Sequence, residues 1–179
     1  LKVDLLLMQQ ATNLGSLIQL QSNSEELASL KVLLAVEDLT LDLFVQHSID
    51  QLYLAVKQLR QLGQKFCCVV DNPPYMGGGK MNNNLSNYVK KKYPQSKADL
   101  MACFMESGLA VLKPKGMLGM INQHSWAYNP TYLKFRKRIF KKWCFDSILH
   151  LGPNTFSEIS GEVVQSISFV VVNKKYDNN

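Results

Sequence analysis

Phe66-Cys67-Cys68-Val69-Val70-Asp71-Asn72-Pro73-Pro74-Tyr75 is the stretch on which the reading of this chain turns. Five apolar residues, too few for a helix, run straight into a polar turn. Proline fixes its own backbone and lacks an N–H, and it holds the residue before it extended. The stretch therefore reads as a short buried strand ending at a rigid turn that displays one amide and one aromatic ring. The Asn72 side-chain oxygen and the Pro73 carbonyl are both hydrogen-bond acceptors, and Tyr75 can stack on a planar ring. Such a set can grip a nucleobase amine, whose lone pair is delocalised until acceptors aimed at its hydrogens favour the pyramidal form. Pro-Pro-Tyr alone fits a plain strand-to-loop turn with a buried tyrosine equally well; the Asp71-Asn72 prefix after an apolar strand favours chemistry.

Working outward, Asp99 is a candidate N-cap for a helix over Leu100–Leu112, and Lys113-Pro114-Lys115-Gly116 stops it. Met117–Ile121 reads as a strand, residues 130–143 as a basic helix, Phe145–Leu151 as a third strand and Val164–Val172 as a fourth. Strand–helix alternation with continuous apolar strands predicts an α/β fold, with a mostly parallel sheet and helices on both faces. The last connection, about ten residues, is short for a right-handed crossover, so the final strand is expected to run antiparallel. Ligands in such sheets sit beyond the carboxyl ends of the strands, which puts Asn72, Asn122 and Gly152 on one rim.

Upstream, residues 24–61 carry a helical period through Leu27, Leu30, Leu33, Leu34 and Glu37, then Ile49, Leu52, Tyr53, Val56 and Leu59. Ser48 and Gln51 form a candidate capping box, and Gly63 ends the helix. Residues 1–21 read as strand or helix start, with a turn at Asn13–Ser16.

The chain has 179 residues and 46% hydrophobic content, enough for a substantial core and against global disorder. The net charge of +6 divides into −3 over residues 1–60 and +9 over 61–179. A basic half beside the Pro-Pro turn suits a polyanion, although a lysine-rich solvated surface explains charge alone as well. Cys67, Cys68, Cys103 and Cys144 lack metal-type spacing and read as free thiols, mostly buried, in a reducing, cytoplasmic compartment. No stretch is long enough to span a membrane, and no signal peptide is visible. His47, His124 and His150 stand apart from carboxylates and thiols, so no metal site is expected. Residues 76–98 read as a Gly-, Asn- and Lys-rich loop hinged at Gly77-Gly78-Gly79. Lys80, Lys90, Lys91, Lys92 and Lys97 are spaced to track phosphates, and the loop is expected to order on DNA. Lys134, Arg136, Lys137, Arg138, Lys141 and Lys142 crowd one helix, as phosphate contacts or as a solvated face.

The chain resembles the amino-methylating class of S-adenosylmethionine-dependent DNA methyltransferases. Its closest likeness is to the large adenine-N6 enzymes of fused restriction–modification and phage-defence systems. Asn72-Pro73-Pro74-Tyr75 matches the family's catalytic tetrapeptide. Residues 97–121 match the next helix and strand, 122–140 the following loop and helix, Phe156–Val172 the last loop and strand, and Leu14–Ile18 a segment before the catalytic strand. The resemblance implies a partial Rossmann-like class I methyltransferase sheet. Of the catalytic residues Asn72, Pro73, Pro74 and Tyr75, Asn72 and Pro73 would hold the target amine and Tyr75 would stack on the base, with Phe156 stacking or packing on the opposite side of an adenine extruded from the duplex. Asp71 would border the cofactor and base pockets, while Asp99, Leu100 and Phe104 wall the adenine end of S-adenosylmethionine. Lys80, Lys90, Lys91, Lys92, Lys134, Arg136 and Arg138 would meet DNA phosphates.

One departure matters. The family's glycine-rich cofactor loop and ribose-holding acid precede the catalytic strand, and nothing in residues 1–64 resembles them. Residues 1–64 are thus expected to be a helical lead-in, and 65–179 the second half of a catalytic domain. The cofactor-binding half and target-recognition domain would lie elsewhere in the polypeptide, leaving the isolated piece inactive. Two other readings stay open: transfer to an amine of cytosine, RNA or protein glutamine, and a non-catalytic nucleic-acid-binding or assembly module.

Overall fold

The computed structural model describes residues 1–34, 43–152 and 165–174. They divide into two compact units, Leu1–Gln64 and Lys65–Asn179.

The first unit is helical. It comprises α1 (Lys2–Met8), α2 (Ala11–Leu14), a 3-10 turn over Gly15–Leu17, α3 (Ser24–Leu34) and α4 (Leu43–Leu62). The ambiguous first 21 residues resolve as helices around Asp4, which is fully buried. Its carboxylate accepts the backbone N–H groups of Gln21 at 2.9 Å and Ser22 at 2.7 Å, together with the Ser22 hydroxyl. Burial pushes the Asp4 pKa up, but these bonds outweigh it and hold the group below its ordinary value. The helix expected over 24–61 is described as α3 and α4, and Glu37 lies outside the described residues. Ser48 caps nothing: it lies inside α4, where its hydroxyl donates to the Phe44 carbonyl at 2.9 Å. The reciprocal cap sits earlier, where Asn23 Oδ1 accepts from Glu26 N at 2.7 Å and Glu26 Oε2 from Asn23 N at 3.4 Å. Val56 and Leu59 are fully buried on α4 as their spacing predicts, and Gly63 N closes the helix onto the Leu59 carbonyl at 3.0 Å.

The second unit is α/β. Its elements are β1 (Phe66–Asp71), α5 (Asn83–Lys92), α6 (Leu100–Ala110), β2 (Leu112–Gln123), α7 (Ser125–Tyr128), α8 (Leu133–Lys142), β3 (Cys144–Gly152) and β4 (Ser166–Val172). The sheet order is β1-β2-β4-β3. β1 pairs parallel with β2, and β4 pairs antiparallel with both β2 and β3. Three strands therefore point one way, and the last strand returns between two of them, as the short final connection predicts. Because β4 is inserted there, only the β1–β2 ladder is parallel among the described strands.

Gly116 lets β1 and β2 approach. A Cβ on it would stand 2.8 Å from the Phe66 carbonyl oxygen and 3.0 Å from that of Lys113. Lys115 just before it takes a φ of 63°, and the register shifts between Phe66 and Cys68.

One sheet face builds the core. Leu118 pairs with Val171, and Met120 with Phe169. Those four pack with Met101, Met105 and Leu109 of α6, Trp126 of α7, and Phe135 and Ile139 of α8. Each such side chain contributes about 1.5–3 kcal/mol through burial. On the other face Val70 is 81% exposed. Contrary to the expectation of buried thiols, Cys67 and Cys68 are exposed as well. Among the described residues β1 has β2 as its one ladder neighbour, so an apolar strand composition does not enforce burial there. Cys103 is buried as expected, and burial pushes its thiol up to about 12.

The expected loop over 76–98 is also corrected. Asn82 N-caps a full helix, α5, its Oδ1 accepting from Leu85 N at 2.9 Å, and Leu85 and Val89 are buried.

Candidate active site

The carboxyl ends of β1, β2 and β3 and the start of β4 meet at one rim. Asp71 stands in register with Met120, and Ser166 with both Gln123 and Gly152. Asn72, Asn122 and Gly152 thus share the rim foreseen for them.

Asn72 is exposed at the strand tip, Pro73 is buried and Pro74 exposed. Asn72 is therefore accessible, on a backbone stiffened by two prolines. Asp71 is half-buried. Burial raises its carboxyl above the ordinary value, against a hydrogen bond from the Asn72 backbone. Tyr75 is half-buried and packs against the core cluster. Its hydroxyl is buried beside that of Ser166, and neither completes a hydrogen bond of normal geometry. Ser166 is fully buried at the start of β4, 91 positions away in sequence (166 − 75), and no local pattern announces it.

Asp99 caps α6 as expected, with Oδ1 accepting from Met101 N at 3.0 Å. The same oxygen also accepts from Met76 N at 3.1 Å. Met76 returns its carbonyl to Leu100 N at 3.0 Å, Gly77 bridges Asp99 in antiparallel fashion, and Gly78 N donates to the Ala98 carbonyl at 2.9 Å. The expected hinge at Gly77-Gly78-Gly79 is therefore docked at its first two residues. Burial raises the Asp99 carboxyl, opposed by the Met101 and Met76 hydrogen bonds and the charge of Lys80. Leu100 is buried, and Phe104, one turn further along, is half-buried. Phe156 lies outside the described residues.

Asn122 reaches the rim only through its backbone. Its side chain is fully buried, and its Oδ1 accepts from Trp126 Nε1 at 2.8 Å. His124 and His150, distant in sequence, meet across the strand ends with Nδ1 and Nε2 3.0 Å apart. Tyr128 sets its ring edge-on to both, with centroids at 5.4 and 5.9 Å. Burial and then the charge of His150 hold His124 below its ordinary pKa. No cluster of three or more metal-ligand side chains occurs among the described residues.

The basic helix α8 sorts into two kinds of residue. Arg136 donates to the Trp126 carbonyl at 2.8 Å and the Asn129 carbonyl at 2.6 Å. Arg138 pairs with Glu106 at 2.5 Å, and Glu106 also accepts from the Ser96 hydroxyl at 2.7 Å. These arginines are committed to internal partners, which argues against the phosphate contacts expected of them. Lys134, Lys137 and Lys141 are exposed. Beside the docked glycines, Gly78, Ser86, Lys90, Gln95, Lys97 and Thr131 help to line an open cavity of about 340 Å³. Lys80, Lys90 and Lys91 are exposed and Lys92 half-buried; the last three form the final turn of α5 rather than a flap.

Residues 5–156 match the Eco57I restriction-modification methylase family. The chain belongs to that family. Among curated relatives, the adenine-specific methyltransferase BrxX of Escherichia coli O9:H4 (strain HS) is 38% identical over 175 residues, covering 94% of the chain. The adenine-specific methyltransferase PglX of Lacticaseibacillus casei (strain Zhang) is 42% identical over 116 residues, covering 65%. The chain spans 14% and 10% of the lengths of these two relatives. A cryo-EM structure of a DrdV–DNA complex matches 67% of the chain and 14% of its own, at 20% identity and a TM-score of 0.49, too low to carry an argument. No described helix of the chain is long and apolar enough to cross a membrane.

The described residues fit S-adenosylmethionine only as one wall. Phe104 offers a partly accessible ring and Asp71 a carboxylate near the strand tip. Leu100 is turned into the core, and Asp99 Oδ1 is held by two backbone N–H groups.

Proposed function

We propose that this chain is part of an enzyme that transfers a methyl group from S-adenosylmethionine to the N6 amine of an adenine extruded from DNA. The observation that carries the reading is the exposed Asn72 at the end of β1, followed by a buried proline and a half-buried tyrosine. Asn72 Oδ1 and the Pro73 carbonyl accept the two amine hydrogens, shifting the nitrogen lone pair out of conjugation and toward the incoming methyl. Tyr75 holds one face of the base, and Phe156 is assigned the other. A paired base cannot reach a strand tip, so the adenine leaves the stack. The cofactor supplies the electrophilic methyl on a sulfonium. The chain supplies orientation and acceptors rather than a metal or a covalent nucleophile.

In this reading residues 1–64 lead into the catalytic strand, and 65–179 form the second half of the catalytic domain. The groups that hold the methionine and ribose parts, and the target-recognition domain, come from elsewhere in the polypeptide. Two features support this: the exposed β1 residues Cys67, Cys68 and Val70, and the small share of its relatives that the chain spans. Lys80, Lys90, Lys91, Lys92 and Lys134 meet phosphates of double-stranded DNA, which sets position without reading sequence.

The test is methyl transfer to adenine-containing duplex DNA by the full-length gene product. Asn72→Ala is expected to lower turnover by at least ~10²-fold, the usual loss for a preorganised polar group at the reacting centre. Transfer unaffected by Asn72→Ala would end the assignment, and transfer to cytosine or RNA instead of adenine would change the substrate.

A further inference from the structure

We propose that Asp99 is a positioning residue of the adenine site, whose carboxylate hangs the Tyr75–Met76 backbone on the N-terminus of α6. The proposal rests on the function proposed above. The turn Asn72–Tyr75 leaves the sheet at Asp71, which is fixed in the ladder with β2. Its other end is Met76. Met76 N–H goes to Asp99 Oδ1 at 3.1 Å and its carbonyl to Leu100 N at 3.0 Å, so both of its backbone groups are docked on two consecutive residues. The dock stands on a helix packed into the interior: Leu100, Met101, Ala102, Cys103 and Met105 are all buried. Oδ1 serves two N–H groups at once, Met76 and Met101, and thereby fastens the turn to the helix with a single atom. The antiparallel bridge of Gly77 with Asp99 and the bond from Gly78 N to the Ala98 carbonyl extend the same seam.

Two prolines stiffen the middle of the turn, and the two ends are pinned. The direction of the Asn72 amide, the Pro73 carbonyl and the Tyr75 ring is then set jointly by β1 and by Asp99. This role differs from a wall of the cofactor pocket, because the carboxylate oxygen in question already faces backbone.

Three variants of the full-length gene product separate the possibilities. Asp99→Asn keeps an acceptor of the same length and should keep both the cap and the Met76 contact. Asp99→Ser still caps a helix, but its oxygen is one bond closer to the main chain and cannot also serve Met76. Asp99→Ala loses both contacts. Asp99→Ser is expected to melt close to wild type yet turn over about tenfold to a hundredfold more slowly, since misplacement of a positioned group by about 1 Å costs that much. Its KM for S-adenosylmethionine should stay within about twofold, because the lost interaction orients the base and not the cofactor. Independently of turnover, the Met76 amide should exchange with solvent at least about tenfold faster in Asp99→Ser and Asp99→Ala than in Asp99→Asn, as expected when its acceptor is lost. Unchanged Met76 exchange in Asp99→Ser overturns the dock. Fast exchange with wild-type turnover overturns the positioning role. A raised KM for S-adenosylmethionine with unchanged turnover returns Asp99 to the cofactor. If wild type methylates no adenine, the proposed function fails instead, while the exchange measurement still reports on the dock.

Discussion

Replacing Asn122 by leucine tests whether the rim asparagine belongs to the core or to the ligand site. Asn122 is fully buried, Trp126 is 1% exposed, and a 2.8 Å bond from Trp126 Nε1 to Asn122 Oδ1 joins them. Leucine has nearly the same shape, so Asn122→Leu opens little cavity. Its cost is the stranded indole N–H, about 1–3 kcal/mol for a buried donor without a partner. Trp126→Phe strands the Asn122 amide by a similar amount and also loosens packing against Phe145 and Phe169, whose ring centroids lie 6.0 and 5.2 Å away. The double variant removes donor and acceptor together, so it should be more stable than the sum of the singles by ~1–2 kcal/mol. Urea unfolding followed by fluorescence is a clean assay, because both tryptophans, Trp126 and Trp143, lie in the second unit and Trp143 remains in Trp126→Phe. With a slope of about 2 kcal/mol per molar, Asn122→Leu should move the midpoint by about 0.5–1.5 M. A midpoint at the wild-type value, or strictly additive singles, would refute the account. It would also return Asn122 to the rim as a group available to substrate.

The histidine contact makes a pH prediction. A 3.0 Å contact between ring nitrogens needs one donor and one acceptor, which a doubly protonated pair lacks. The folded pKa of His124 lies below its ordinary 6.5, so the stability it contributes is fully present above 6.5 and is lost as pH falls through the lowered value. An NMR titration should place His124 below 6.5 and move it upward in His150→Ala; a midpoint at or above 6.5 in wild type contradicts the contact. Lys90 and Lys97 beside the 340 Å³ cavity predict an ionic-strength effect. If each meets one phosphate, replacing both by alanine should flatten log K against log salt by about 2 for any DNA sequence, at roughly 0.9 per contact. An unchanged slope removes them from the DNA interface.

How much of this was readable in advance depended on distance along the chain. Strand β1 and its turn were legible because apolar composition and two prolines act locally. The Asp99 cap was legible for the same reason, and the direction of β4 followed from the length of its connection. Helix α5 was hidden: asparagines and lysines score as loop, and only the burial of Leu85 and Val89 and the cap at Asn82 make that stretch helical. The second partner of Asp99, the pairing of His124 with His150 and the approach of Ser166 to Tyr75 join residues brought together by the sheet, and spacing carries no trace of them. The exposure of Cys67 and Cys68 was misread because apolar composition was taken as burial, while burial is decided by which neighbours a strand has.

The two anchors of the Asn72–Tyr75 turn also constrain its length. Asp71 in the ladder and Met76 on the helix are separated by the four residues Asn72–Tyr75. An added or deleted residue there would have to unzip the strand or pull Met76 off α6, whereas the same change at exposed Gly79 or Lys80 would leave both attachments in place. In re-engineering this turn, the number of its residues is held as tightly as the side chains of Asn72 and Tyr75 on which the proposed function rests.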